Sequence, residues 1–347
     1  LFRSTVLQSI YENVKACVRS KTALSENFDI QVGVRQGCIL SPFLFTFFIN
    51  ELASQIENNC TNGVQLHPDI VQIFLLLFAD DIVLISSTII GLQRQINELD
   101  IFCEQTKLTV NLEKTKVVVF KKGGTLSNKE KWFYKGNKLD TTSSYKYLGV
   151  YFNNQLSWAL HANYASVQAQ KVLIGILKQL KILGDLNMNS FFKIFDLKIS
   201  PILLYGAEIW GLNVYAKLET IHLYACKKFM GVKINTPSVM VYGECGRYPL
   251  YINSYCRVIK YWIKVLHMPS YRLPKKCYEM MLLYDKNGHK NWVTNVKKLL
   301  FSIGFGDIWH AQNTLTLDFI QPFMQRLKDM YLQTWQENLS QIGRAHV

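Results

Sequence analysis

The sequence predicts an α+β fold, with mixed strands and helices over residues 1–155 and helices from there to residue 341. Three observations carry this expectation. Before residue 155 stand the β-rich apolar runs Val71–Phe78 and Ile82–Ser86, and Leu108, Val110 and Leu112 alternate with a period of two, the spacing of half-buried strands. After Trp158 the period lengthens to that of helices, and Gly184, Gly211 and Gly231 punctuate the ends of long stretches. Of the 347 residues 49% are apolar and 13% aromatic, which is ample for packed cores and excludes a globally disordered chain.

The elements follow in order. Val6, Ile10, Val14 and Cys17–Val18 fall at helical spacing, so a helix is expected over 6–19. Residues 22–34 read as extended and end in Val32-Gly33-Val34. Ser41-Pro42 fits a helix entry, with serine as cap and proline in the first turn of an apolar helix reaching about Asn58. Val71–Phe78 and Ile82–Ser86 read as strands joined by Ala79-Asp80-Asp81. An amphipathic helix follows, with Leu92, Ile96, Leu99 and Cys103 on one face. Leu108, Val110 and Leu112 alternate as in a strand, and Lys116–Phe120 continues extended. Lys121–Lys131, with Gly123-Gly124, reads as a loop, and a further β section ends at Tyr147–Phe152. Helices are expected over about 160–183, 188–211 and 214–231, and residues 236–341 also read as helical.

The formal net charge is +14, a balance that suits a polyanionic partner. From Lys121 to Lys181 ten lysines face only Glu130 and Asp140, with Trp132, Phe133, Tyr134, Tyr145, Tyr147, Tyr151, Phe152 and Trp158 interleaved. Lysines can neutralise phosphates while rings stack on bases, or the same residues can form a solvated face over an aromatic core. The apolar runs Ile39–Ile49 and Ile73–Ile85 fall short of the roughly 18–20 residues that cross a bilayer, so no membrane partner is expected. The eight cysteines show neither CxxC pairs nor Cys/His ligand spacing and read as mostly buried free thiols in a reducing compartment.

Two constellations carry chemistry. Asp80 and Asp81 stand together between apolar strands, where divalent cations would offset paired carboxylates; alternatively they form a turn pointing into water. About forty residues earlier, Arg35-Gln36-Gly37-Cys38-Ile39-Leu40-Ser41-Pro42 combines a cation, an amide and a permissive glycine before a helix start. Trp158 and His161 read as packing and capping the next helix. His222 and Cys226 read as core, and Glu208 as structurally paired.

Together these residues resemble the palm of reverse transcriptases of the non-LTR (LINE-type) retrotransposons. Gln36–Pro42 resembles the family's nucleotide-contacting pattern, and Phe78-Ala79-Asp80-Asp81 its aromatic-x-Asp-Asp metal motif. Asn111–Lys116 resembles the motif whose lysine assists proton transfer to pyrophosphate, and Tyr145–Val150 the primer-grip hairpin. Pro201–Trp210 and Tyr242–Leu250 are similar to segments downstream of the palm. The resemblance implies a partial palm (antiparallel sheet with helices) over 1–155, a helical thumb over 156–235 and a helical extension over 236–341. It implies Asp80, Asp81 and Lys114 as catalytic residues, with the two aspartates holding Mg2+ or Mn2+. It further implies nucleotide contacts from Arg35, Gln36, Gly37 and Phe78, and primer contacts from Tyr147, Leu148 and Gly149. The implied partners are an RNA template, a DNA primer and deoxynucleoside triphosphates, in the nucleus or cytoplasm. The third carboxylate of such a site is expected before Leu1, with Asp29 too near Gly37 to replace it, so the chain as written is expected not to polymerise DNA. A non-catalytic RNA-binding relative is the alternative. Ile342–Val347 resembles a translated sequencing adapter and is expected to take no part in the fold.

Overall fold

The computed structural model describes residues 2–12, 14–30, 33–35, 37–67, 70–121, 123–124, 127, 129–184 and 186–344. The chain divides into two compact units, Leu1–Thr115 with Leu126–Asp140 and Lys116–Thr125 with Thr141–Val347. Mixed α and β elements are present, as the sequence predicts. Among the described residues, however, the strands form separate two-stranded sheets rather than one continuous sheet.

In the first unit, helix α1 spans Phe2–Tyr11 and stops before the expected residue 19. Lys15–Ala16 instead pairs antiparallel with Phe28–Asp29, and the Val14 carbonyl accepts from the Ile30 amide at 2.7 Å. Pairing with a distant segment overrides the helical spacing here, as context often does for valine-rich stretches. Helix α2 (Ser41–Asn59) buries Ile49, Leu52 and Ile56. It packs against α3 (Ile89–Thr106), which buries Ile96, Leu99, Phe102 and Cys103. Thr88 caps α3 by accepting from the Gly91 amide at 3.0 Å.

The expected strand over 71–78 breaks at the buried Phe74. Ile70–Ile73 pairs back onto Val64–His67, while Leu75–Phe78 pairs forward onto Asp81–Leu84. No strand forms over 108–112; Asn111 closes a turn there, its side chain accepting from the Lys114 amide at 3.1 Å. Trp132 and Tyr134 are buried, and Trp132 donates to the Ile89 carbonyl at 3.1 Å. These two rings therefore build core. The lysine-rich stretch is also divided, since Lys129, Lys131, Lys135 and Lys138 fall in the first unit while Lys121, Lys146, Lys171 and Lys178 fall in the second.

In the second unit the segment Lys116–Thr125 is joined by the hairpin Ser144–Tyr147/Val150–Asn153 and the long helix α4 (Ala159–Leu183). The single helix expected over 188–211 is interrupted. It comprises α5 (Met188–Ile194), a π turn at Phe195–Ile199, α6 (Ser200–Leu203) and α7 (Ala207–Trp210). Pro201 lacks the amide that would bond four residues back, and its ring crowds that carbonyl, so the backbone widens before it. Helices α8 (Ala216–Met230), α9 (Ser238–Cys245), α10 (Leu250–Leu266), α11 (Leu273–Lys286), α12 (Trp292–Ser302), α13 (Gly306–His310) and α14 (Ile320–Arg344) complete the unit.

One core gathers around Phe195, Leu203, Trp210 and Ala225. A second surrounds α10, where Val258, Ile259, Trp262 and Ile263 are wholly buried. Ile342–Arg344, set aside with the tail on sequence grounds, continues α14, and residues 345–347 lie outside the described residues. No described helix is long and apolar enough to cross a membrane.

Candidate active site

Phe78 pairs with Asp81 across the hairpin, leaving Ala79 and Asp80 as its two-residue loop. Ala79 adopts φ +51°, a left-handed backbone that disfavours a Cβ, so the turn is strained at the residue before the acids. Both aspartates are exposed, and the Phe78 ring is 60% exposed. Asp80 thus lies in the loop and Asp81 opens the returning strand, both reached from solvent. Two adjacent carboxylates are hard oxygen donors of the kind magnesium prefers, with water and phosphate oxygens free to complete its shell. In donor type they fit a divalent cation. In number they fall short, because among the described residues no three His, Cys, Asp or Glu side chains gather as a metal site.

The second constellation is a compact turn leading into α2. The Ser41 hydroxyl donates to the Arg35 carbonyl at 2.6 Å, and the Cys38 amide reaches the same carbonyl at 3.3 Å. Ser41 is therefore not the cap that its position before proline suggests. Leu40 holds the cap position without a side-chain bond, and Ser41 is already helical. The Tyr11 hydroxyl lies 3.2 Å from Ser41 Oγ and donates to Cys38 Sγ at 3.5 Å, an interaction that lowers the Cys38 thiol below its usual range. Arg35 is exposed. Gly37 adopts φ +84° and nothing lies within 4 Å of a Cβ built there, so its glycine requirement is one of backbone conformation and its open side faces space. Gln36 lies outside the described residues. Lys114 is exposed on the Asn111 turn rather than on a strand.

In the second unit, Leu148 and Gly149 form the hairpin loop with φ +46° and +85°, the two positive values of a type I′ turn. Tyr147 is half-buried on the strand before them and Leu148 is 37% exposed. The Tyr205 hydroxyl donates to the Leu148 carbonyl at 2.9 Å. His161, wholly buried, contacts the Tyr205 carbonyl through Nε2 at 3.2 Å, while its Nδ1 accepts from the Tyr151 amide at 3.4 Å. Burial lowers the His161 pKa, as does Lys146, against the opposing pull of the Tyr205 carbonyl. Trp158 packs edge-on against Phe152. The expected packing of Trp158 and His161 matches this geometry, whereas the expected side-chain cap does not form: Trp158 holds the cap position of α4 without a side-chain bond.

Tyr205 is the residue that sequence reasoning did not single out. It was visible only as one letter of Pro201–Trp210, and nothing in its spacing points toward Leu148. Glu219 was also missed. It accepts from the Tyr242 hydroxyl, from His222 Nδ1 at 3.2 Å and from the Leu250 amide at 2.9 Å. Arg247 donates to His222 Nε2 at 3.3 Å and bidentately to Asp196 at 2.8 and 2.5 Å. Tyr242, Arg247 and the Leu250 amide thereby join a partly buried polar network, and His222 and Cys226 are core residues as expected. Glu208 stands 4.0 Å from Arg257, a loose and half-exposed pairing.

Residues 2–152 match the family model described as reverse transcriptase (RNA-dependent DNA polymerase). The chain is 26% identical over 224 residues to the protein named probable RNA-directed DNA polymerase from transposon BS of Drosophila melanogaster, covering 63% of this chain and 24% of that relative. It is 24% identical over 233 residues to the RNA-directed DNA polymerase from mobile element jockey of Drosophila funebris, covering 64% of this chain and 24% of the relative. The chain thus spans about a quarter of the length of these relatives.

Proposed function

We propose, from the match of residues 2–152 to the reverse transcriptase family model and from the named transposon relatives, that this chain carries a LINE-type reverse transcriptase domain that extends a DNA primer on an RNA template by two-metal nucleotidyl transfer. The observation that carries the reading is the pair of adjacent, exposed carboxylates on a strained hairpin turn at Asp80–Asp81. Residues 1–155 are assigned to a partial palm, 156–235 to a thumb and 236–341 to a helical extension.

In this reading Asp80 and Asp81 hold Mg2+, with Mn2+ as a substitute. Such ions, when bound, offset phosphate charge and favour attack by a hydroxyl. The primer 3′ oxygen bonds to the α-phosphorus of a deoxynucleoside triphosphate, and the bond to pyrophosphate breaks. The exposed guanidinium of Arg35 suits a phosphate partner, and the open side of Gly37 admits close approach of a nucleotide. Phe78 offers an exposed ring face beside the acids. The role of Gln36 rests on the motif alone. Lys114 carries a proton to the departing pyrophosphate oxygen, and Tyr147, Leu148 and Gly149 hold the primer end.

Among the described residues two acids gather where such a site uses three, and this pair by itself is expected to bind the metal weakly and support little extension. The test is primer extension by the jockey relative's polymerase with residues 33–153 of this chain in the corresponding place. Extension is expected, and Asp80→Ala should reduce it on the order of a hundredfold or more. RNA binding without extension in the unsubstituted chimaera would support the non-catalytic reading instead.

A further inference from the structure

Tyr205 lies between α6 and α7 and is 51% exposed, yet both ends of the residue are committed. Its carbonyl accepts from Trp210 Nε1 at 3.0 Å and lies 3.2 Å from His161 Nε2, and both of these side chains are buried in the helical core. Its hydroxyl reaches out to the Leu148 carbonyl at the hairpin tip. Its ring fills the space beside Gly149, where a Cβ would stand 2.8 Å from Cε1. A half-exposed ring gains little from burial, and phenylalanine would serve equally as apolar cover. The hydroxyl bond is what requires tyrosine here.

The Leu148 carbonyl and the Gly149 amide belong to one planar trans peptide, so they point in opposite directions. Holding the carbonyl toward Tyr205 turns the Gly149 N–H to the other face of the turn. We infer that Tyr205 is a positioning residue that fixes the 148–149 peptide so that the Gly149 amide meets a phosphodiester oxygen of the primer end. This rests on the reading of the 144–153 hairpin as the element that places the primer. An N–H on a positive-φ turn is a suitable donor to such an anion.

The experiment uses the 347-residue chain and a primer–template duplex whose primer ends in photoreactive 4-thiothymidine. Crosslink position is read by mass spectrometry and overall affinity by titration. The unsubstituted chain should crosslink within residues 144–153. Tyr205→Phe, which keeps the ring, should lower that yield about threefold to tenfold, the effect of one hydrogen bond, with duplex affinity changed by less than about twofold. Gly149→Ala displaces the ring from the other side and should reproduce the loss. A crosslink at 144–153 that either variant leaves at full yield overturns the inference while the hairpin reading stands. A crosslink outside 144–153 in the unsubstituted chain, or none, removes the hairpin reading and the inference with it.

Discussion

At His161 the neutral ring suits both of its partners. Nε2–H donates to the Tyr205 carbonyl and the bare Nδ1 faces the Tyr151 amide, so a second proton would set one donor against another. Burial lowers its pKa from the ordinary 6.5. The unfolded chain therefore takes up this proton first as pH falls, and the stability His161 contributes is complete above about pH 6.5 and is lost as pH drops from there toward the folded value. Urea midpoints of the wild type should fall between pH 7.5 and pH 5.5 by more than those of His161→Gln. Equal falls in the two proteins would contradict this protonation state. Glu219 is the counterpart among acids. Glu219→Ala leaves the Tyr242 hydroxyl, His222 Nδ1 and the Leu250 amide without their acceptor, a loss of about 3 kcal/mol or more in denaturant unfolding, with Glu219→Gln milder. A change below about 1 kcal/mol in Glu219→Ala would argue that water replaces the carboxylate in full.

Single elements were legible in the sequence wherever local pattern and tertiary pairing agree. Of the stripe Leu92, Ile96, Leu99 and Cys103, the last three are buried on α3 and Leu92 is half-buried, and Gly184 and Gly231 do close α4 and α8. The failures share a cause. Val14 has helical spacing, but its carbonyl is claimed by Ile30, a partner sixteen residues away that periodicity does not register. Leu108–Leu112 alternates like a strand, but Asn111 offers its side chain to the Lys114 amide and turns the chain instead. Pro201 stood in plain view inside the stretch expected to be one helix, and its missing amide is what opens the π turn before it. The site shows the same division. The turn that carries Asp80 and Asp81 could be read directly, because adjacent acids between apolar strands are conspicuous. Tyr205 could not, because its importance comes from where α6 ends relative to the hairpin tip.

At the scale of the whole molecule, the +14 charge was legible but its distribution was not, since the lysine-rich stretch is shared between two compact units. Each unit has its own buried residues, so damage to one should be felt locally. Trp262 is wholly buried and stacks on Trp309 at 5.8 Å, and Trp262→Ala should destabilise the second unit by about 3–5 kcal/mol. Hydrogen exchange should then accelerate in peptides covering 256–265 while those covering 92–103 keep their protection; equal loss in both would mean that the units unfold together. The claim on which the functional account depends is that the turn at 80–81 is where the metal sits. Substituting Fe2+ for Mg2+ in the chimaeric polymerase, with primer–template and nucleotide bound and with hydrogen peroxide and ascorbate added, generates hydroxyl radicals that cut the backbone beside the ion. Cleavage next to residues 80–81 that disappears in the paired Asp80→Asn and Asp81→Asn variant is the predicted result, and cleavage confined to other segments, or persisting in that variant, would contradict it.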